Sequence, residues 1–312
     1  MKRRKALRTI PFLVSLSLIC LIFRMIGPSK LAHVVGEAGP LHLSLALLPD
    51  LPFILLKSYK WHRMGRVVFR DMRFGDAVSS FLIGLSASLF TPARIGELAR
   101  VMTFKQERRE ALVLAFLDKV VDLSGLGFLF LLSLLILDRL VGAAIGIAGS
   151  TAFIVFAIWW GKRGKISFSL RLPFSFLALQ LLLSLTCFLL LMLQFWVILM
   201  GFKVKARFVD VFTGLPLILV GSMLPLSVNG LGLREMVASL ILPCFGIDEA
   251  QAVTASFLLF LVNSLIPGMV GIAIGGNEIR HFLNNPSKKP NAKDDDVTYC
   301  NRLLKQKEER DP

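Results

Sequence analysis

The residues most able to do chemistry lie in two short stretches set inside apolar sequence. One is Pro225-Leu226-Ser227-Val228-Asn229-Gly230-Leu231-Gly232-Leu233-Arg234-Glu235, between the runs Val211–Leu224 and Val237–Phe245. The other is Thr91-Pro92-Ala93-Arg94-Ile95-Gly96-Glu97-Leu98-Ala99-Arg100. A helix broken at such a point presents unpaired N–H groups with partial positive charge. That makes an anion site suited to phosphate. Gly230 and Gly232 permit positive φ and close approach. Ser227 and Asn229 can cap or donate, and Arg234 adds a charge with bidentate geometry. Arg94, Glu97 and Arg100 take the same parts in the other stretch, with Glu97 and Arg100 on one helix face. The same arginines and the Arg234-Glu235 pair also fit hairpin ends anchored at a membrane interface.

A third candidate is Asp118-Lys119-Val120-Val121-Asp122. Asp118 and Asp122 share a helix face, and Lys119 can pair across to a neighbour. The group suits either a coupling proton or a structural ion-pair network. Asp50, between Pro49 and Pro52, either faces a cavity or satisfies a kink. Asn263, Gln180 and Gln194 read as hydrogen bonds between helices. Cys20, Cys187 and Cys244 fall in apolar runs and Cys300 in a polar stretch, with no CxxC or Cys/His spacing. Neither a disulfide framework, a metal nor a cofactor is expected. Without a Gly-x-x-x-x-Gly-Lys-Ser/Thr stretch, ATP-driven pumping is not expected either.

These residues need a membrane to position them. Of 312 residues, 55% are hydrophobic, and mean hydropathy is +0.68. The net charge of +15 is spread between apolar runs, which speaks for basic cytoplasmic loops and against a nucleic-acid partner. The fold class is therefore an all-α polytopic membrane protein. Apolar spans are read at Thr9–Gly27, Leu41–Leu56, Ala111–Leu137, Leu140–Trp160, Leu172–Met200 and Ala250–Ile274. The first, behind Lys2-Arg3-Arg4-Lys5, reads as an uncleaved span with a cytoplasmic N-terminus. Pro49 and Pro52 should kink the second, so neighbouring helices must satisfy the freed carbonyls. The domain covers 1–280, and 281–312 reads as a disordered cytoplasmic tail.

Arm lengths decide the rest. A bilayer core is about 30 Å thick, whereas Asp76–Thr91 gives about 24 Å, Ile95–Thr103 about 14 Å and Gly232–Phe245 about 21 Å. Each is too short to cross, so both stretches read as tips of re-entrant hairpins. On that layout the cytoplasmic loops, 57–73, 94–109 and 162–171, hold fifteen Lys and Arg against five outside. Full crossings would give ten on each side, so the positive-inside rule favours the hairpins. The layout is six spans plus two hairpins, as an inverted-topology repeat of about 9–137 and 140–276. In transporters such interrupted segments form the site near the midplane.

Pro92 to Arg100 resembles the Pro-Gly-Arg-x-Gly-Glu-x-x-Arg motif of the lysylphosphatidylglycerol synthase/flippase transmembrane family. Pro225 to Glu235 resembles that family's Pro-x-Ser-x-Gly-Gly-x-Gly-x-Arg-Glu motif. The family is the membrane half of bacterial multiple peptide resistance factors and also occurs alone. The likeness covers most of 8–280. Ala93 and Asn229 replace family glycines, and Asp118-Lys119-Val120-Val121-Asp122 stands where members carry Glu-Arg-x-x-Asp. No stretch resembles the soluble aminoacyl-transferring domain, so lysyl-lipid synthesis is not implied. The resemblance implies translocation or binding of an anionic phospholipid in a prokaryotic cytoplasmic membrane. A homo-oligomer or a lipid-synthesis partner is compatible with it. A lipid-modifying enzyme such as a glycosyltransferase, using Asp118 and Asp122, and a non-catalytic partner subunit are the alternatives.

Overall fold

The computed structural model describes residues 44–92, 94–104, 108–136, 173–223 and 226–284, with isolated positions before 44. The expected spans Thr9–Gly27 and Leu140–Trp160 and the tail beyond 284 lie outside the described residues, as do Ala93, Leu224 and Pro225. By contacts the chain divides into a compact unit, Met1–Ile279, and a second, Arg280–Pro312. Described residues are helical apart from turns and one isolated antiparallel bridge. Helix α1 is Asp50–Gly65, α2 Phe74–Ser88, then a 3-10 helix, Ile95–Thr103, then α3, Arg108–Ile136. Helix α4 is Phe174–Gly201, α5 Phe208–Ser222 and α6 Leu233–Ile241, continued by a 3-10 turn, Leu242–Phe245. Helix α7, Glu249–Phe260, runs through a π-helical segment, Leu261–Leu265, into α8, Ile266–Asn284.

Among the described residues three stretches are long and apolar enough to cross a membrane: Glu110–Ile136, Ser175–Gly201 and Glu249–Gly275. Helices α2 and α5 are apolar but have only 15 residues each, about 22 Å. Each folds back on the segment after it. The 3-10 helix returns along α2 so closely that a Cβ on Gly96 would meet the backbone of Ala87 and Ser88, and one on Gly84 would stand 2.8 Å from the Glu97 carbonyl oxygen. Helix α6 returns along α5, where a Cβ on Gly221 would stand 3.0 Å from Val237 Cγ1. The two hairpins begin alike. Arg73-Phe74-Gly75-Asp76 and Arg207-Phe208-Val209-Asp210 each place an aspartate to accept from the arginine's backbone N–H, at 3.1 and 2.9 Å. Asp210 also takes the Arg207 guanidinium at 3.1 Å, and this hydrogen bond raises the Arg207 pKa above its ordinary value.

Proline breaks are met by side chains from other helices. The turns before α1 bond Leu47 N–H to Ser44 O, Leu48 N–H to Leu45 O and Asp50 N–H to Leu47 O. Pro49 has no N–H for the next carbonyl in that register, Ala46 O. Gln194 of α4 supplies it, donating from Nε2 at 3.0 Å. Pro216 likewise strips Phe212 O of its helical donor, and Ser133 Oγ of α3 donates there at 3.4 Å. Pro267 follows the π-helical segment and is the local cause of that shift in register.

One boundary differs from expectation. The apolar run predicts a second span ending at Leu56, with Lys57 and Lys60 in a basic loop. The structure carries α1 on to Gly65, and Lys60 is fully buried. Four of the fifteen basic residues assigned to cytoplasmic loops, Lys57, Lys60, Arg94 and Arg100, are packed into the protein. Eleven remain against five, so the charge bias keeps its sign.

The core has two parts. Phe195, Ile198, Leu199, Leu215, Ile218 and Leu242 tie α4, α5 and the 3-10 turn after α6 together. Trp61, Met64, Val101, Leu114 and Ala115 tie α1, the 3-10 helix and α3. Helix α8 crosses α2 at small residues, as membrane helices do. A Cβ on Gly271 would meet Leu82 O and Ser86 Oγ, and Ser86 Oγ donates to Gly268 O.

Close backbone approach at Gly96 makes a steric prediction. Gly96→Val should lower stability by about 1–3 kcal/mol through overpacking. Gly75→Ala, where a Cβ meets nothing within 4 Å, should leave it unchanged. Thermal unfolding of the detergent-solubilised protein compares them, and equal midpoints would refute the close-packed hairpin.

Candidate functional site

The two tips touch. Pro92 and Val228 form the isolated antiparallel bridge, and Asn229 N–H donates to Thr91 O at 3.1 Å. Arg94 Nε donates to Asn229 Oδ1 at 2.9 Å, and Arg94 Nη2 to Ser264 Oγ at 3.5 Å. Arg94 and Asn229 both stand in the left-handed region, at φ 55° and 51°, a strained conformation for residues other than glycine. The stretches singled out in the sequence, 135 positions apart at this contact, thus form one polar junction. The π-helical segment of α7–α8 lies against it through Ser264.

Each returning helix starts with an N–H already met by a side chain. Gly96 N–H donates to Thr91 Oγ1 at 2.8 Å, and Gly232 N–H to Glu235 Oε2 at 2.7 Å. Gly232, at φ 81°, and Gly230, at φ 77°, make the turn into α6. Glu235 Oε1 in turn takes Arg234 Nη2 at 2.7 Å. Arg234 Nε donates to Ser256 Oγ at 3.1 Å, and its guanidinium lies 5.4 Å from the Phe260 ring centre. Arg234 and Glu235 are both buried. They form a self-contained pair that locks α6 to α7.

On the first hairpin the charges form a network that includes two lysines. Lys57 Nζ meets Asp122 Oδ2 at 2.7 Å, and Lys60 pairs with both Asp122 and Asp118, the latter at 2.9 Å. Arg100 Nη2 meets Asp118 Oδ2 at 2.8 Å and also donates to Ala115 O. The Arg100 guanidinium stacks 4.2 Å from the Trp61 ring centre. Ser184 of α4 donates to Asp122. Nearer the tip, Lys119 Nζ meets Glu97 Oε2 at 2.6 Å, with both side chains partly exposed. Asp118 and Asp122 are therefore each held by cations.

Arg94 differs from the other basic residues of this site. Among the described residues no carboxylate lies within ion-pair distance of it, and its side chain donates instead to an amide and a hydroxyl. On the tip that carries its partner Asn229, two buried polar atoms, Ser227 Oγ and Asn229 Nδ2, have no hydrogen-bond partner among the described residues. Counting Lys57, Lys60, Arg94, Arg100, Lys119 and Arg234 against Glu97, Asp118, Asp122 and Glu235, the site carries two more positive than negative charges. No three His, Cys, Asp or Glu side chains among the described residues cluster as metal ligands would.

Sequence reasoning placed the tips and the Asp118–Asp122 face. It missed Lys57 and Lys60, whose spacing of three along α1 matches the spacing of four between the aspartates on α3. It also missed the repeated Arg-Phe-x-Asp at the start of each hairpin, a four-residue signal that only the two equal arms make conspicuous.

A network of this kind depends on completeness. Lys60→Met leaves the buried Asp118 and the half-buried Asp122 short of a partner and should cost about 3–5 kcal/mol. Adding Asp118→Asn should restore at least half of that loss. A double-mutant cycle on thermal unfolding reads the coupling, and additive losses would show that the two residues do not depend on one another.

Residues 8–271 match the family model described as the lysylphosphatidylglycerol synthase TM region. No curated protein matches the chain.

Proposed function

The chain belongs to the lysylphosphatidylglycerol synthase TM family, and from that premise we propose that it translocates an anionic phospholipid between leaflets. Membership supports an integral membrane protein whose work concerns lipids. The observation that carries the reading further is Arg94, a cation at the junction of the tips with no carboxylate within ion-pair distance among the described residues, Glu97 acting on it only from further away. Ser227 Oγ and Asn229 Nδ2, on the tip that Arg94 contacts, are buried and have hydrogen-bonding capacity unused among the described residues. A phosphate oxygen satisfies all three, and charged hydrogen bonds are the strong ones. The strain at Arg94 and Asn229 fits residues held for a ligand.

In this reading both hairpins are re-entrant, from opposite faces, and the described elements belong to an inverted repeat. Two arms of about 22 Å laid end to end match the roughly 40–45 Å of a whole bilayer. The junction then lies near the midplane, where interrupted helices form transporter sites. The donors are shielded from water with the tips together, so a headgroup reaches them when the tips part. Asn229 N–H to Thr91 O and Arg94 to Asn229 are the hydrogen bonds that parting breaks. Glu97 and Lys119, partly exposed beside the junction, suit the zwitterionic or cationic part of a headgroup. Arg234, Glu235, Gly230 and Gly232 shape the second tip, and Arg100 braces the first. The protein acts in the inner membrane of a prokaryote, with both termini cytoplasmic, as a homo-oligomer or beside a lipid-synthesis partner. The enzyme reading that uses Asp118 and Asp122 would need one of them free, and each is held between cations.

Two measurements test this. Arg94→Gln should slow flipping of a fluorescent anionic phospholipid in proteoliposomes by about ten- to a hundredfold, the worth of a charged hydrogen bond. Arg207→Gln, at an exposed side chain, should not. Wild-type rates in a folded Arg94→Gln protein would sink the headgroup site. For topology, Arg73→Cys should label from the cytoplasm and Arg207→Cys from outside; labelling of both from one face would overturn the inverted arrangement.

A further inference from the structure

One buried acid stands apart from every ion pair described so far. Asp50, at the start of α1, is 8% exposed. Its side chain meets Asn263 Nδ2, which donates to Asp50 Oδ1 at 3.4 Å. The same amino group donates to Gln194 Oε1 at 3.4 Å. The orientation of these amides follows from the backbone. Gln194 must turn Nε2 to the Ala46 carbonyl that Pro49 leaves without a donor. Its Oε1 then faces Asn263, which must present Nδ2. A polar chain thus runs from Ala46 O through Gln194 and Asn263 to the carboxyl of Asp50.

No cation closes that chain among the described residues. Helix α4 carries no Asp, Glu, Lys, Arg or His along its length. From Gln251 to Asn277 the α7–α8 helix carries none either. On α1 itself the nearest charge is Lys57, two turns on and paired with Asp122; Cys187 of α4 lies at that same network. A carboxylate buried in a membrane interior without a counter-ion is strongly disfavoured, and the start of α1 offsets only a small part of that. A proton removes the charge. A sodium ion fits less well, because an N–H of Asn263 points where a cation ligand would have to be an oxygen.

Asn263 also occupies a telling position. It lies in the π-helical segment, and the next residue, Ser264, accepts from Arg94 at the junction of the tips. Such single-turn bulges recur where a helix must shift register. Asp50 and Arg94 therefore bear on adjacent residues of one deformable turn.

We propose that Asp50 is an exchangeable proton site, and that its protonation is linked through Asn263 and Ser264 to the opening of the two tips. The role in transport rests on the lipid-translocation reading; the proton site does not. With the proton on Oδ2, Asp50 still accepts from Asn263 Nδ2 at Oδ1, the arrangement seen here. Deprotonation leaves a charge that the Asn263 amide alone must hold, and this loads the turn that carries Asn263 and Ser264. By linkage, whatever favours open tips must change the proton affinity of Asp50 by the same factor.

Dicyclohexylcarbodiimide, which modifies protonated carboxyls in apolar surroundings, tests the site in the full-length protein in liposomes. Peptide mass spectrometry should find the adduct at Asp50 at least fivefold above Asp118 or Asp122, rising as pH falls. No adduct at Asp50 between pH 5 and 9, or protection by Na+ at constant pH, overturns the proton site. Coupling is read without any lipid. In a cysteine-free background, Pro92→Cys with Val228→Cys, oxidised to the disulfide by copper phenanthroline, should cross-link at a yield that changes at least threefold with pH relative to the same pair oxidised in denaturant at each pH. Adding Asp50→Asn should remove that dependence. A pH-independent yield in the parent pair, or a dependence that survives Asp50→Asn, refutes the link. Should lipid flipping prove absent while both results hold, the function falls and the proton site stands.

Discussion

The structure depends on one constraint: a backbone interrupted inside an apolar medium has no water to complete its hydrogen bonds. The contact of the tips answers it. Asn229 N–H finds Thr91 O, and Pro92 bridges Val228, so each broken helix completes the other. Neither broken stretch completes these hydrogen bonds by itself. The prolines pose the same problem on a smaller scale, and other helices solve it. Gln194 reaches Ala46 O beside Pro49, and Ser133 reaches Phe212 O beside Pro216. Each repair also fixes which helices are neighbours, so the breaks specify the packing as well as disturb it.

The short apolar arms and the two broken stretches were legible in the sequence because the signals were strong. Arms of fewer than about 20 residues cannot span a bilayer, and clusters of Gly, Pro and Arg inside apolar runs do not fit a lipid-facing helix. The 3-10 arm, Ile95–Thr103, has the bounds that the sequence pattern predicts. Helices α3 and α4 match their apolar runs to within a few residues. Lys57 and Lys60 were not legible, because hydropathy reads a lysine as a loop whether or not it has a partner. Their partners lie some sixty residues away on α3. Arg234 shows the converse limit. Its charge marked the tip correctly, but a sequence cannot say that Glu235, the adjacent residue, uses that charge up.

The two hairpins share a frame and divide its chemistry unequally. Both open with Arg-Phe-x-Asp and both descend for 15 residues. The second keeps one closed pair, Arg234 with Glu235. The first is set in a network of three buried or half-buried cations and two aspartates. Removing one member of such a network exposes the others to an uncompensated burial, which is why ion networks give geometric specificity more readily than stability. In the proposed function that rigidity suits a wall against which the tips move.

In the proposed cycle motion comes from elsewhere, and the π-helical segment Leu261–Leu265, a local departure from the α-helical register, is placed to supply it. It lies between a helix packed on the second hairpin and one crossing the first at Gly268 and Gly271. Consecutive residues on a helix point in different directions, so Asn263 and Ser264 address different partners from one turn. Asn263 holds the Asp50–Gln194 junction, and Ser264 holds Arg94. A shift of that turn cannot satisfy one partner without disturbing the other. Two sites become coupled here without any long pathway, because the same few backbone atoms carry both.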